Sequence, residues 1–374
     1  MGHRTKLLLL IPHLGGGGAE RVTAQLARYL DPRLFDIHLC LITKDSPGAP
    51  RIPRWVQIYR LELCRVRQAG FRLLCLIRAE QPDVILSNMA HLNFLLLLLK
   101  PFLPLHTRIL VRQNAVASAD AESWLSRRCY KRLYPRARAI LCQSEAMAAD
   151  LALNFSISRD KLKVLPNPID VHAIRAACGM PSRASDEPPY IWPNLLCVGR
   201  LAHEKGFDLL LHAMPQILDR YPRARLTILG TGPEQKSLAQ LSAQLQLTTA
   251  VTLAGHSDHL AAYYSDTTFF VLPSRREGMP NALLEAAAAG LPIVATPCSP
   301  GLGDLLENAS GTWLTPAISS QSLADTILAA ACELAKSSRA PQRFHHAFVD
   351  PFERNTAIAA YASFIQEQAA PTCA

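Results

Sequence analysis

The sequence lacks every cysteine arrangement that builds a scaffold or holds a metal. Its ten cysteines are scattered, with no Cys-x-x-Cys pair and no Cys/His spacing of a zinc site. At 374 residues a disulfide framework is not needed to complete a core, so reduced thiols in a cytosolic compartment are expected. No apolar run reaches the ~18 residues of a spanning helix; the nearest, Leu92–Leu99, stops at Lys100-Pro101. Arg4 and Lys6 before Leu7–Ile11 imitate a secretory leader, but the run is short of the ~7–15 apolar residues a leader needs and no small-residue cleavage site follows. A buried first strand is expected there instead. Charge is also sparse, at 18% against 49% apolar residues, which excludes a disordered chain.

Acidic residues are scarce in one half only. Residues 1–180 carry 26 Lys and Arg against 13 Asp and Glu, whereas residues 181–374 carry 13 against 17. The net charge of +9 therefore divides into a strongly basic half and a mildly acidic one, which implies different partners for the two.

Short apolar runs alternate with helical patterns throughout, the signature of βαβ units and parallel sheets. The first half offers strands at Lys6–Ile11, Ile37–Ile42, Val84–Ser87, Arg108–Val111, Ala139–Cys142 and Lys163–Leu165. A second series runs through Leu195–Val198, Leu226–Leu229, Val251–Leu253, Phe269–Leu272 and Ile293–Ala295. Between the series, Met180–Pro193 holds four prolines and reads as a linker. Each half opens with a strand, glycines and a helix, so two Rossmann-like domains are expected, with ligands beyond the carboxyl ends of their strands.

Three motifs carry chemistry. Gly15–Gly18 precedes a helix over Ala19–Tyr29, where glycines let the backbone approach a ligand and the helix N-terminus favours an anion; a plain flexible turn is the alternative. The spacing matches neither the dinucleotide fingerprint nor a phosphate loop with Lys-Ser/Thr. Gly199-Arg200 with Glu204-Lys205-Gly206 sets two cations around a turn, able to converge on a diphosphate; an Arg200–Glu204 salt bridge with an exposed Lys205 is the competing arrangement. Finally, Glu277-Gly278-Met279-Pro280-Asn281 leads into a helix over Ala282–Ala289, with Pro280 suited to its first turn and Gly290-Leu291-Pro292 to its end. Glu277 in the loop accepts hydroxyls beside an anion site, and Glu285 stands inside the helix, unless it is an ordinary surface residue. A glycosidase carboxylate pair would need opposite walls of a cleft, not one loop–helix unit.

At these residues the chain resembles the family 4 glycosyltransferases, which are retaining and nucleotide-sugar dependent. Gly17-Gly18-Ala19-Glu20-Arg21, Pro166-Asn167-Pro168-Ile169-Asp170, Gly199-Arg200-Leu201, Gly230-Thr231-Gly232-Pro233, Val251–Gly255 and the Glu277–Glu285 spacing follow in the family's order. The resemblance implies an α/β GT-B fold, two Rossmann-like domains facing across a cleft. Residues 1–180 would face acceptor and membrane, 181–350 would hold the donor, and 351–374 would form a helix crossing back to the first domain. It further implies that Arg200 and Lys205 hold the donor diphosphate, Glu285 the ribose and Glu277 the transferred sugar. Gly16, Gly17, Gly18, Gly199, Gly230, Gly278, Met279, Pro280 and Asn281 would line the donor site. His91 is the best histidine for the cleft, since Val111-Arg112-Gln113-Asn114 stands where many relatives carry a histidine-containing loop. Fixed cations and helix N-termini can stabilise a departing diphosphate without a metal. No Asp-x-Asp occurs in the chain, in keeping with a site that needs neither metal nor other cofactor.

Six cations fall within Arg127–Arg138. At helical spacing Leu125, Cys129 and Leu133, with Trp124, Tyr130 and Tyr134, would share an apolar side, leaving Arg127, Arg128, Lys131 and Arg132 projecting as in an interfacial helix attracted to anionic lipid. With Arg112, these are the expected acceptor- and membrane-facing residues; a merely solvated face is the alternative. No nucleic-acid-binding motif accompanies them. The expected activity is transfer of a hexose or N-acetylhexosamine from a UDP-sugar to a lipid-linked or polysaccharide glycan, by a cytoplasmic protein peripheral at the inner membrane face. A sugar-nucleotide epimerase or hydrolase of the same architecture and a non-catalytic nucleotide-binding scaffold are the competing readings.

Overall fold

The computed structural model describes residues 4–15, 17–44, 49–121, 123–178, 193–257, 259–336 and 343–370. The chain forms two compact α/β units. One comprises Met1–Pro168 with Arg354–Ala374, the other Ile169–Glu353.

The first unit carries a parallel sheet of seven strands: β1 (Thr5–Ile11), β2 (Phe35–Leu41), β3 (Gln57–Arg60), β4 (Val84–Asn88), β5 (Arg108–Arg112), β6 (Ala139–Cys142) and β7 (Leu162–Val164). Their order is β3-β2-β1-β4-β5-β6-β7. Alternation along β1 divides its side chains between two cores. Leu8 and Leu10 pack under the helices Gly70–Glu80, Ala90–Leu99 and Trp124–Leu133, while Leu7, Leu9 and Ile11 pack against Val22 and Leu26 of the helix Gly18–Tyr29 and against Ile358, Tyr361 and Ile365 of the last helix, Arg354–Ala369. A strand covered on both faces is apolar throughout, which is why this run resembles a leader segment in sequence.

The second unit repeats the plan with β8 (Asn194–Val198), β9 (Arg225–Leu229), β10 (Val251–Gly255), β11 (Phe269–Leu272), β12 (Ile293–Ala295) and β13 (Thr312–Leu314), ordered β10-β9-β8-β11-β12-β13. In each sheet the order reverses beside the first strand, between β1 and β4 and between β8 and β11. Those carboxyl ends are where ligands enter sheets of this kind.

Three differences from the sequence reading have physical causes. Strands β3 and β13 were not expected: both are short, part-exposed sheet edges without an apolar run to mark them. The boundary between units falls after Pro168, not at residue 180, because Ile169 donates its N–H to Phe352 (2.8 Å) and Val171 of the helix Val171–Cys178 enters the second unit's core. The proline-rich linker lies mainly outside the described residues, and residues 351–353 stay with the second unit. Pro280 precedes the helix Asn281–Ala288 as its N-cap, one position earlier than expected.

Candidate active site

In the second unit, close backbone packing brings three loops to one place. Gly230, at φ +136°, has its Cα so near the Gly199 carbonyl that a Cβ would lie 1.8 Å from the oxygen. Gly206, at φ +65°, stands in the same relation to Pro273, with 2.0 Å to its carbonyl oxygen. Only glycine fits either position. The turn at His203–Lys205 is thereby pressed against the loop after β11, where the Arg275 and Arg276 N–H groups donate to the Glu204 carbonyl (2.8 and 3.3 Å). Arg275 adds a fork onto the Asp208 carboxylate at 2.7 and 2.6 Å, at the start of the helix Phe207–Arg220.

Lys205 and Glu277 meet on this platform. Lys205 Nζ lies 2.7 Å from Glu277 Oε1, and the buried Ser274 hydroxyl donates to the same oxygen at 2.8 Å. The loop is fixed from beneath: Thr296 Oγ1 donates to the Ser274 carbonyl at 2.5 Å, Glu277 N–H to the Cys298 carbonyl at 3.2 Å, and Ser299 Oγ to the Gly278 carbonyl at 3.2 Å. Burial, reinforced by the charge of Glu277, pushes the Cys298 thiol up to about 12, so it stays protonated and chemically quiet.

Beyond Gly278 and Met279, the helix Asn281–Ala288 begins without a side-chain cap, and its N-terminus carries partial positive charge. Glu285 is not an ordinary surface residue. It is 5% exposed and accepts a hydrogen bond from the buried Tyr264 hydroxyl at 3.4 Å. Glu277, Glu285 and a helix N-terminus thus share one loop–helix unit, and Lys205 reaches Glu277 from the loop after β8, an arrangement able to hold sugar hydroxyls beside a phosphate anion. Arg200 points elsewhere: its guanidinium pairs with Glu204 at 2.5 Å and is largely exposed. The competing salt-bridge reading therefore describes Arg200, and its other half, an exposed Lys205, does not hold.

In the first unit, Gly17 is the N-cap of the helix that Gly18 begins, while Gly16 lies outside the described residues. The buried Glu20 carboxylate folds back over Gly17, with Oε2 placed 2.5 Å from where a Cβ would be. This explains glycine three residues before glutamate, since any side chain would displace the carboxylate. The opposite oxygen of Glu20 lies 3.9 Å from His13 Nδ1. His91, in the first turn of the helix Ala90–Leu99, faces a cavity of about 600 Å³ together with His13. Desolvation holds the His91 imidazole below its ordinary value, with Asp120 opposing and His13 reinforcing the shift.

Arg112 corrects the sequence reading. Its side chain is 1% exposed and reaches Tyr361 Oη (3.2 Å), Asn167 Oδ1 (2.5 Å) and Asn114 Oδ1, so it is no part of a membrane-facing surface. Arg127, Arg128, Lys131 and Arg132 are exposed on the helix Trp124–Leu133. The apolar side expected of that helix is split: Tyr130, Leu133 and Tyr134 are buried, whereas Trp124 and Leu125 stand beside the cations in solvent, 73% and 56% exposed.

Tyr264, Ser299 and His13 take part without having been expected, and Ser274 and Thr296, which belong to the motif segments, take part without a role having been expected of them. Ser274, three residues before Glu277 in the same loop, was the most accessible from sequence. Tyr264 and Thr296 reach the site only through sheet order. Among the described residues, no three His, Cys, Asp or Glu side chains are grouped to hold a metal ion, and no helix is long and apolar enough to cross a membrane.

Comparison with known proteins places both halves of the chain among glycosyltransferases. The model of "Glycosyltransferase Family 4" matches residues 16–173 and that of "Glycosyl transferases group 1" matches residues 192–332. An uncharacterized glycosyltransferase of Haemophilus influenzae is 38% identical over 121 residues, 32% of this chain and 34% of that one; the match thus spans about a third of that relative. A Campylobacter jejuni relative is 28% identical over 80% of this chain and 83% of its own length. It is named as an N-acetylgalactosamine-N,N'-diacetylbacillosaminyl-diphospho-undecaprenol 4-alpha-N-acetylgalactosaminyltransferase. Among solved structures, Anabaena HepE in complex with UDP and glucose superposes with TM-score 0.78 at 18% identity, covering 97% of this chain and 100% of that one.

Proposed function

We propose, starting from the fact that the chain belongs to the glycosyltransferases of GT-B fold, that it moves a hexose or N-acetylhexosamine from a UDP-sugar to a lipid-linked or polysaccharide glycan, with retention at the anomeric carbon and without a metal. The observation that carries this reading is the Lys205–Glu277 pair at 2.7 Å, beside a helix N-terminus and the buried Glu285. Lys205 supplies positive charge where a leaving diphosphate becomes more negative, and the helix N-terminus adds to it. Glu277, steadied by Ser274, accepts hydroxyls of the transferred sugar, and Glu285 those of the ribose. Arg200, itself exposed, joins the diphosphate by exchanging its half-buried partner Glu204 for phosphate.

A UDP donor is supported by the solved neighbour that binds UDP and glucose, and a lipid-linked acceptor by the Campylobacter relative's name. The exposed Trp124 and Leu125 beside four cations support action at the inner, anionic face of the cytoplasmic membrane. The test is a thermal-shift panel of nucleotide sugars. A ligand bound only by the folded chain raises its melting temperature. A UDP-sugar is expected to stabilise the wild type and to lose that effect in Glu285→Gln. Stabilisation by GDP- or ADP-sugars alone would overturn the donor assignment.

A further inference from the structure

The cavity in the first unit has an architecture that the donor chemistry does not use. Its inner end is formed by Pro12 and His13 beyond β1 and by Met89 and His91 beyond β4, at the place where the strand order reverses. From there it follows one stripe of the helix Ala90–Leu99, through Phe94 and Leu95 to Leu98. Leu98 is 54% exposed, so the apolar lining continues into solvent. Its volume of about 600 Å³ falls within the ~300–1,000 Å³ of ligand-binding sites.

Arg65 and Arg67, from the turn that precedes the helix Gly70–Glu80, also line the cavity. Both are exposed, and neither forms an ion pair among the described residues. Val66, between them, packs toward the core that Phe94 and Leu95 flank. Two unneutralised guanidiniums over an apolar trough, with imidazoles at one end and an open apolar exit at the other, select an amphiphile whose anionic group lies between a polar end and a hydrocarbon chain.

We infer that this cavity binds a prenyl diphosphate: Arg65 and Arg67 hold the diphosphate, Phe94, Leu95 and Leu98 the first isoprene units, and the His13–His91 end receives the sugar that follows. The inference rests on the proposed transferase reading and deepens it, by assigning recognition of the acceptor's lipid diphosphate to residues outside the basic helix. Guanidinium forks suit phosphate oxygens, and the exposed end at Leu98 lets a long chain continue into a bilayer.

The full chain is titrated calorimetrically with farnesyl diphosphate, inorganic diphosphate and farnesol, as wild type and as Arg65→Gln/Arg67→Gln. Farnesyl diphosphate is expected to bind at least tenfold more tightly than either fragment. The double variant is expected to lose at least tenfold of that affinity, while its UDP affinity stays within twofold. A second variant, Leu98→Glu, should weaken farnesyl diphosphate and leave inorganic diphosphate unchanged. Equal binding of farnesyl and inorganic diphosphate, or undiminished farnesyl diphosphate affinity in the double variant, would overturn the assignment. So would an equal, arginine-dependent affinity for phosphatidylglycerol vesicles lacking prenyl diphosphate, which would mark a general anionic surface. Failure of the transferase reading shows differently, as the absence of transfer from any nucleotide sugar to any glycan, whatever farnesyl diphosphate does.

Discussion

Lys205 and Glu277 are 72 residues apart in the chain, yet their charges meet at 2.7 Å. The pair exists because Gly206 packs against the Pro273 carbonyl, which brings the loops after β8 and β11 into contact. Lys205→Ala and Glu277→Ala are each expected to lower kcat by about 10²–10³-fold, the scale of losing one transition-state charge or donor, while far-ultraviolet circular dichroism stays unchanged. The double variant should cost less than the two losses combined, because the residues act as a unit. Full activity in either single variant would remove the site assignment.

Gly206→Ala should destabilise the second unit by about 1–3 kcal/mol, from a left-handed backbone conformation and a collision with main chain that cannot yield. Gly17→Ala should cost less, since the obstacle is the movable Glu20 carboxylate. Adding Glu20→Ala to Gly17→Ala should restore part of the loss. Urea denaturation of the three variants measures this; an unaffected Gly206→Ala would contradict the packing described.

The two kinds of arginine in the first unit should separate cleanly. Arg112→Met leaves Asn114, Asn167 and Tyr361 without their buried donor and is expected to cost about 1–3 kcal/mol of stability, with little effect on lipid binding. Replacing Arg127, Arg128, Lys131 and Arg132 with glutamine should leave stability nearly unchanged. It should weaken binding to anionic vesicles by about 1 kcal/mol per charge. Vesicle co-sedimentation that is wholly soluble at low salt would sink the membrane reading.

The Asp208–Arg275 fork makes stability depend on acid. Burial pulls the Asp208 carboxyl up, but hydrogen bonds and charge from Arg275 outweigh it and hold the group below its ordinary 3.8. A carboxyl depressed on folding adds stability that is fully present above its unfolded value and is lost as pH falls through the folded value. Wild type should therefore lose stability below about pH 4 more steeply than Asp208→Asn. Parallel acid limbs in melting curves between pH 2 and pH 6 would show that the fork contributes nothing.

Much of this was legible in the sequence, and the exceptions have a common cause. Buried parallel strands announce themselves as apolar runs, so β1, β4 and β11 were read within a residue or two, as was the helix after Glu277. Properties that depend on what lies across the fold were not. Arg112 reads as one more cation of a basic half until Tyr361, 249 residues away, closes over it. Arg200 and Lys205 look equivalent around their turn, but only Lys205 reaches Glu277. Trp124 and Leu125 fit the apolar side of a helix by spacing, yet that side outruns the core it covers.

Sugar transfer itself tests the central claim most directly. The purified chain is given each of a panel of radiolabelled nucleotide sugars with a lipid-diphosphate-linked glycan, and labelled lipid is extracted and counted, with Glu277→Ala in parallel. Label from a UDP-sugar is expected in the lipid fraction with wild type and at least a hundredfold less with the variant, the scale set by one lost transition-state contact. Free sugar released without any labelled glycan, or equal labelling by both proteins, would contradict the account.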